Sequence, residues 1–158
     1  MRGYSAIGLH APKSPENFGA VLRAAWCYGA ALVAVNAPRK GVKREIGKAQ
    51  DTPKAARHIP VIVGDLRTLI PYDCVPVCVE IAEGACPIAD FRHPDRAFYV
   101  LGPEDGSVPA DVQEWCHRTI YVPTRTCMNL AATANVVLFH RALQRGEWLG
   151  AFMPEEGA

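Results

Sequence analysis

The stretch NFGAVLR sets an amide, a glycine and a guanidinium, Asn17, Gly19 and Arg23, at helical spacing. Asn17 suits a helix N-cap, because its side-chain oxygen can accept a hydrogen bond from an orphan backbone amide. Glycine inside a helix costs about 1 kcal/mol relative to alanine, so Gly19 calls for a reason. Helical side chains lean toward the N-terminus, which sets Arg23 over the turn that holds Gly19. The missing side chain leaves room for the guanidinium, or a group it binds, to approach the helix closely. A surface arginine without a task is the plainer alternative.

Two more junctions carry polar groups. LGPEDGSVP brackets Glu104 and Asp105 between Gly102 and Gly106 at the end of an apolar run. Glycines at a strand end let a ligand touch backbone, and acids there can fix ribose hydroxyls or a cation. The pattern is neither the GxGxxG of dinucleotide folds nor a phosphate loop, and a tight turn alone is the competing explanation. In VPTRTCMN, Val122 and Pro123 close a strand and Asn129 opens a helix, with Thr126 or Cys127 as the cap if these polar groups only cap. Cys127 raises the question of nucleophile, metal ligand or neither.

The remaining chemistry is sparse. Six cysteines in a chain without an export signal are expected to be free thiols. Cys74, Cys78 and Cys86, with Cys116 and His117, come nearest to a metal pattern, but no second close pair follows, and they are read as small buried hydrophobes with no metal bound. The net charge is +1, yet Arg39 to His58 concentrates Arg39, Lys40, Lys43, Arg44, Lys48, Lys54 and Arg57 against only Glu45 and Asp51. Such a loop-like basic segment is either a solvated face or a surface for a phosphate backbone.

These groups must be held by a regular scaffold. At 158 residues, with 49% hydrophobic and 21% charged residues, the chain is expected to form one domain, 1–158, around a full core. Strands are expected at Tyr4 to His10, ALVAVN, PVIV, VPVCVEI, AFYVLG and RTIYV. Helices are expected from Phe18 to Tyr28, near Pro53 to His58, at PADVQEWC and from Met128 to Arg145, with Gly146 as the last stop. A helical turn or two falls in GDLRTLI, and the tail MPEEGA is expected to fray. Alternating strands and helices imply an α/β fold with a parallel sheet covered on both faces, whose ligands bind beyond the carboxyl ends of the strands. In the last helix Leu130, Ala134, Val137 and Leu138 form one apolar stripe that Val136 and Phe139 widen, a surface suited to burial on several sides. No apolar run approaches the roughly 20 residues of a membrane span, and a cleaved signal peptide is not expected, which points to the cytoplasm.

Taken in order, Asn17, Gly19 and Arg23, then Gly102, Glu104 and Gly106, then Val122, Pro123 and Asn129 resemble the three motifs of the SpoU (TrmH-like) class of the SPOUT RNA methyltransferases, in its minimal single-domain form. The resemblance implies a parallel-sheet fold with a C-terminal deep trefoil knot, a rare exception to unknotted connections. It also implies a homodimer formed largely by the first and last helices. S-adenosyl-L-methionine would lie against Leu101, Gly102, Pro103, Glu104, Gly106, Ile120, Val122, Cys127, Asn129 and Leu130.

The implied reaction is methyl transfer to a ribose 2'-hydroxyl of RNA, a tRNA (its wobble nucleotide included) or an rRNA. Arg23, Asn17, Glu104 and Asn129 are the implied catalytic set. Arginine is effectively always protonated, so Arg23 is read as holding a phosphate or stabilising a developing alkoxide and not as a base. RNA would meet the basic segment and Arg125. Cys127 stands where the family often has serine, and Ala131 where it often has another. The rivals are an ordinary doubly wound oxidoreductase, disfavoured by the missing glycine fingerprint, and a catalytically silent RNA-binding module of the same fold.

Overall fold

The structure is a computed structural model that describes residues 3–49 and 58–146. Its elements in chain order are β1 (Tyr4–His10), α1 (Pro15–Cys27), β2 (Val33–Asn36), α2 (Lys40–Ala49), β3 (Val61–Val63), β4 (Val75–Val79), β5 (Cys86–Pro87), a 3-10 turn (Ile88–Asp90), β6 (Arg96–Leu101), α3 (Ala110–Trp115), β7 (Arg118–Tyr121) and α4 (Leu130–Arg145). The strands form a seven-stranded sheet in the order β3-β2-β1-β6-β4-β7-β5. Every neighbouring pair is parallel, as the alternation of strands and helices predicted.

The inner strands β2, β1, β6 and β4 are buried on both faces, and their side chains alternate between two apolar layers, while Ile62 and Val63 of the edge strand β3 are exposed. Ile7, Leu9, Tyr99, Leu101 and Ile120 meet Phe18, Val21, Leu22 and Ala25 of α1 and Leu130, Ala134, Val137 and Leu138 of α4. Ala6, Ala34, Cys78, Phe98 and Val100 face the other way, onto Leu66, Val108 and Val112. The apolar stripe expected on the last helix is therefore core. Phe139, assigned to the same surface, is 48% exposed, as is Leu143.

Four expectations need correction. α1 begins two residues before Asn17: Ser14 is its N-cap, accepting the Asn17 backbone N–H at 3.1 Å, and Pro15 occupies the first turn, where its missing N–H costs nothing. Asn17 is thus not a cap. The basic segment is not loop-like either, since its first part is α2, which buries Val42 and half-buries Ile46. Apolar residues only at i and i+4 among so many cations gave too faint a period. A seventh strand, β5, is two residues long and pairs with β7. Neither Thr126 nor Cys127 caps α4; Asn129 does, its Oδ1 accepting from the Ala131 and Ala132 N–H groups at 2.8 and 3.2 Å. Gly146, left-handed at φ 64°, ends that helix as expected. The helix expected near Pro53 to His58 falls on residues of which only His58 is described, and the tail lies outside the described residues.

Candidate functional site

The carboxyl ends of β4, β6 and β7 open onto a cavity of about 710 Å³, at the edge where parallel sheets bind ligands. Nine of the residues the sequence assigned to a cofactor line it: Leu101, Gly102, Pro103, Glu104, Gly106, Val122, Cys127, Asn129 and Leu130. Ile120 does not. It is fully buried in the core, because the pleat of β7 turns it under the sheet and leaves Tyr121 at the cavity.

The loop after β6 folds back tightly. A Cβ on Gly102 would stand 2.8 Å from the Val108 backbone nitrogen, a distance real side chains do not reach, so glycine is required there. The loop after β7 is held by Thr124, whose hydroxyl donates to the Thr126 carbonyl at 2.7 Å.

Glu104, Asn17 and Asn129 form one hydrogen-bonded chain that joins the loop after β6 to the N-terminal ends of α1 and α4. Asn17 Nδ2 donates to Glu104 Oε1 at 3.0 Å, and Asn129 Nδ2 donates to Asn17 Oδ1 at 2.8 Å. Glu104 also accepts the Ser14 N–H on Oε1 at 3.0 Å and the Lys13 N–H on Oε2 at 2.8 Å. Burial opposes its ionisation, but the bonds from Lys13, Asn17 and Ser14 prevail and hold its carboxyl below the usual range. The donors all favour the charged form, so this carboxylate is a fixed anchor and not a proton shuttle.

Asp105 is held by two cationic side chains. Arg39 clasps it with two bonds of 2.7 and 2.8 Å, and Lys13 Nζ adds a third at 3.3 Å. The Arg39 guanidinium, aided by Lys13, pushes the Asp105 pKa down to about 2. Arg39 was assigned to an RNA surface, yet its fork is taken up by Asp105. Lys40, Lys43 and Arg44 are exposed on α2, and Lys48 belongs to the same helix. Lys54 and Arg57 lie outside the described residues.

Arg23 is exposed on α1 and does not line the cavity of its own chain, nor does exposed Arg125. A Cβ on Gly19 would meet nothing within 4 Å, so the Arg23 side chain does not fill that space. The opening beside Gly19 faces outward. Cys127 is exposed at the cavity wall, and Cys74 and Cys78 are buried while Cys86 and Cys116 are half-buried, all with free thiols.

Sequence reasoning missed several residues of the wall, among them Glu80, Ile81, Ser107, Tyr121 and Thr133. Glu80 and Ile81 belong to the expected strand VPVCVEI, but β4 ends at Val79, which puts Glu80 just past its carboxyl end, where α/β folds place ligands.

The fold has counterparts among solved structures. The SpoU methyltransferase AviRb from Streptomyces viridochromogenes, solved in complex with the cofactor AdoMet, superposes at a TM-score of 0.75 with 19% identity, over 92% of this chain and 59% of that one. A putative RNA methyltransferase from Bacillus anthracis superposes at 0.76 with 17% identity, over 94% of this chain and 98% of that one. A chain solved in work on the 2-OH methylation of C/U34 on tRNA superposes at 0.73 with 18% identity, covering 93% and 99%. At these identities the likeness is one of fold. This chain spans about three-fifths of the length of AviRb. No curated protein matches it in sequence. The model of the SpoU rRNA methylase family matches residues 5–139, from the start of β1 through most of α4 and across all three loops, and the chain belongs to that family.

Proposed function

We propose that this protein is an S-adenosylmethionine-dependent methyltransferase acting on a ribose 2'-hydroxyl of RNA, tRNA or rRNA, in the cytoplasm. The observation that carries the reading is the Glu104–Asn17–Asn129 chain, which joins all three motifs through Asn17 and has its two outer members, Glu104 and Asn129, on the cavity wall. The cavity suits the cofactor: Leu101, Val122 and Leu130 offer apolar surface to an adenosine, and Gly102 lines the same wall. When bound, S-adenosylmethionine supplies a methyl group already activated by positive sulfur.

The protein's own part is to align the acceptor and manage one proton. Asn17, Glu104 and Asn129 act as positioning residues, since their polar atoms are spent on one another and on backbone. Arg23 holds a phosphate or the developing alkoxide. The chain acts as a homodimer through α1 and α4, supported by the exposed Trp26, Phe139 and Leu143 and by the open space at Gly19. Residues 1–158 are read as one catalytic domain with a deep trefoil knot. Family membership and the insertion of β7 between the earlier strands β4 and β5 support the knot. Lys40, Lys43, Arg44 and Lys48 on α2, with Lys54, Arg57 and Arg125, form the RNA surface.

The test is to map ribose methylation in host RNA with and without the gene, alongside calorimetry of the purified chain with S-adenosylmethionine. Loss of one 2'-O-methyl mark together with measurable cofactor binding is the expected result. Unchanged marks and no binding would leave a silent RNA-binding module.

A further inference from the structure

Among the described residues, three carboxylates line the cavity, and they differ in what is left for a ligand. Glu104 is spent on Lys13, Ser14 and Asn17, and Asp105 on Arg39 and Lys13. Glu80, one residue past β4, is half-buried and has no ion-pair partner among the described residues. Its two oxygens each accept one backbone N–H, Oε1 from Ile81 at 2.9 Å and Oε2 from Val108 at 2.7 Å. A carboxylate has about four acceptor positions, so roughly two remain open.

The bonds that Glu80 does make fix its aim. Its own N–H donates to the Ile120 carbonyl at 2.9 Å, tying it to β7. Val108 reaches it only because Gly102 lets the loop after β6 fold back over β4. Glu80 is thereby held between two strand ends, beside the apolar Val79, Ile81, Leu101 and Leu130. A pair of free lone pairs on a fixed carboxylate at a strand's carboxyl end matches the two neighbouring hydroxyls of a ribose, the use parallel α/β folds make of such an acid.

We infer that Glu80 is the residue that grips the ribose hydroxyls of the adenosyl cofactor in this cavity. The inference rests on the cofactor reading given above. It makes Glu80 a binding residue of this chain that belongs to none of the three motifs, and it gives Glu104, which the motifs single out, a scaffolding task.

Calorimetry of the full chain, with thermal melting of the free protein as a check on folding, tests this. The ligands are S-adenosylmethionine, S-adenosylhomocysteine and the 2'-deoxy and 3'-deoxy forms of the latter. Glu80→Gln is expected to weaken both natural ligands equally, by on the order of tenfold, as for a hydrogen bond to a charged group. In the wild type, removing one ribose hydroxyl is expected to cost a similar factor, and in Glu80→Gln almost nothing more. A loss for S-adenosylmethionine alone overturns the inference, because the carboxylate would then answer the positive sulfur. Equal affinity of the wild type for S-adenosylhomocysteine and both deoxy forms also overturns it, and that comparison holds even if the variant fails to fold. A wild type that binds none of the four ligands removes the cofactor reading itself, a result distinct from either of the others.

Discussion

Asn129 donates from Nδ2 to Asn17 Oδ1 at 2.8 Å, joining residues 112 positions apart at the N-terminal ends of α4 and α1. Each amide is used at both ends, and only one orientation of each works. Asn129 must turn its oxygen to the Ala131 and Ala132 N–H groups and its nitrogen to Asn17, and Asn17 must turn its nitrogen to Glu104. A change to Asp at Asn17 therefore does more than delete a bond, since it sets a carboxylate against Glu104. Asn17→Asp is expected to destabilise the fold by about 2–3 kcal/mol at neutral pH, more than Asn17→Ala. The gap between the two should narrow as the pH falls and one carboxyl of the new pair takes a proton, which urea titrations at pH 7 and pH 5 would read.

The Glu104 anchor predicts the acid limb of stability. Its folded pKa is depressed below the ordinary 4.5, so its contribution is full above that value and disappears as the pH falls through the lower folded value. Glu104→Gln presents an amide nitrogen to groups that are all donors and should cost about 2 kcal/mol at pH 7. Its stability curve below pH 5 should be flatter than that of the wild type. Asp105, lowered from 3.8 to about 2, has its window between those values. Because that cluster is exposed, moderate salt should erase most of the effect of Asp105→Asn and little of that of Glu104→Gln.

Two glycines are expected to respond in opposite ways to alanine. At Gly102 the added methyl meets Val108 N at 2.8 Å and the Ser107 carbonyl carbon at 3.1 Å, so backbone must move. A loss of about 1–3 kcal/mol and weaker binding in the cavity should follow. At Gly19 the methyl meets nothing within 4 Å and the helix gains up to about 1 kcal/mol. If that face receives a second copy or an RNA, Gly19→Ala will raise the melting temperature of the chain while lowering its self-association or its methylation rate. Analytical ultracentrifugation beside a melting curve separates the two effects.

Arg23 is exposed on α1, and its removal should leave stability within about 0.5 kcal/mol of the wild type. Methylation should fall by about a hundredfold or more for Arg23→Ala. Arg23→Lys should restore little, since the ammonium lacks the planar fork. Full activity of the lysine variant in a single-turnover assay would remove the forked-donor role.

Charge reversal on α2 should weaken RNA binding without touching the cofactor. Lys40→Glu, Lys43→Glu and Arg44→Glu alter exposed cations, and each RNA phosphate left without its cation should lower the slope of log affinity against log salt by about one. Arg39→Glu is expected to behave differently and to loosen the loop after β6, because Asp105 is its partner. Filter binding over a salt series, with calorimetry of the cofactor as control, distinguishes the two classes.

The sheet and most of its helices were legible because their signals are local. Period-two and continuous apolar runs marked β1, β4 and β6, and a long apolar helical pattern ended by Gly146 marked α4. α2 was lost because Val42 and Ile46 are too few to set a period among lysines and arginines. β5 was lost because two residues carry no pattern and its strand character comes wholly from pairing with β7.

The site divided along the same line. Residue types and order were enough to bring out Asn17, Arg23, Gly102, Glu104 and Asn129, because each interrupts a regular pattern where a strand gives way to a helix or, at Arg23, a charged group follows an unexplained glycine. Only the tertiary structure decided what most of them touch. It released Asn17 from capping, tied it to partners 87 and 112 positions away, matched Arg39 with Asp105, turned Ile120 into core and brought Glu80 to the cavity wall. A hydrogen bond across such separations leaves no periodicity in the chain, since its two ends are brought together only when β1, β6, β4 and β7 align their carboxyl ends in one sheet.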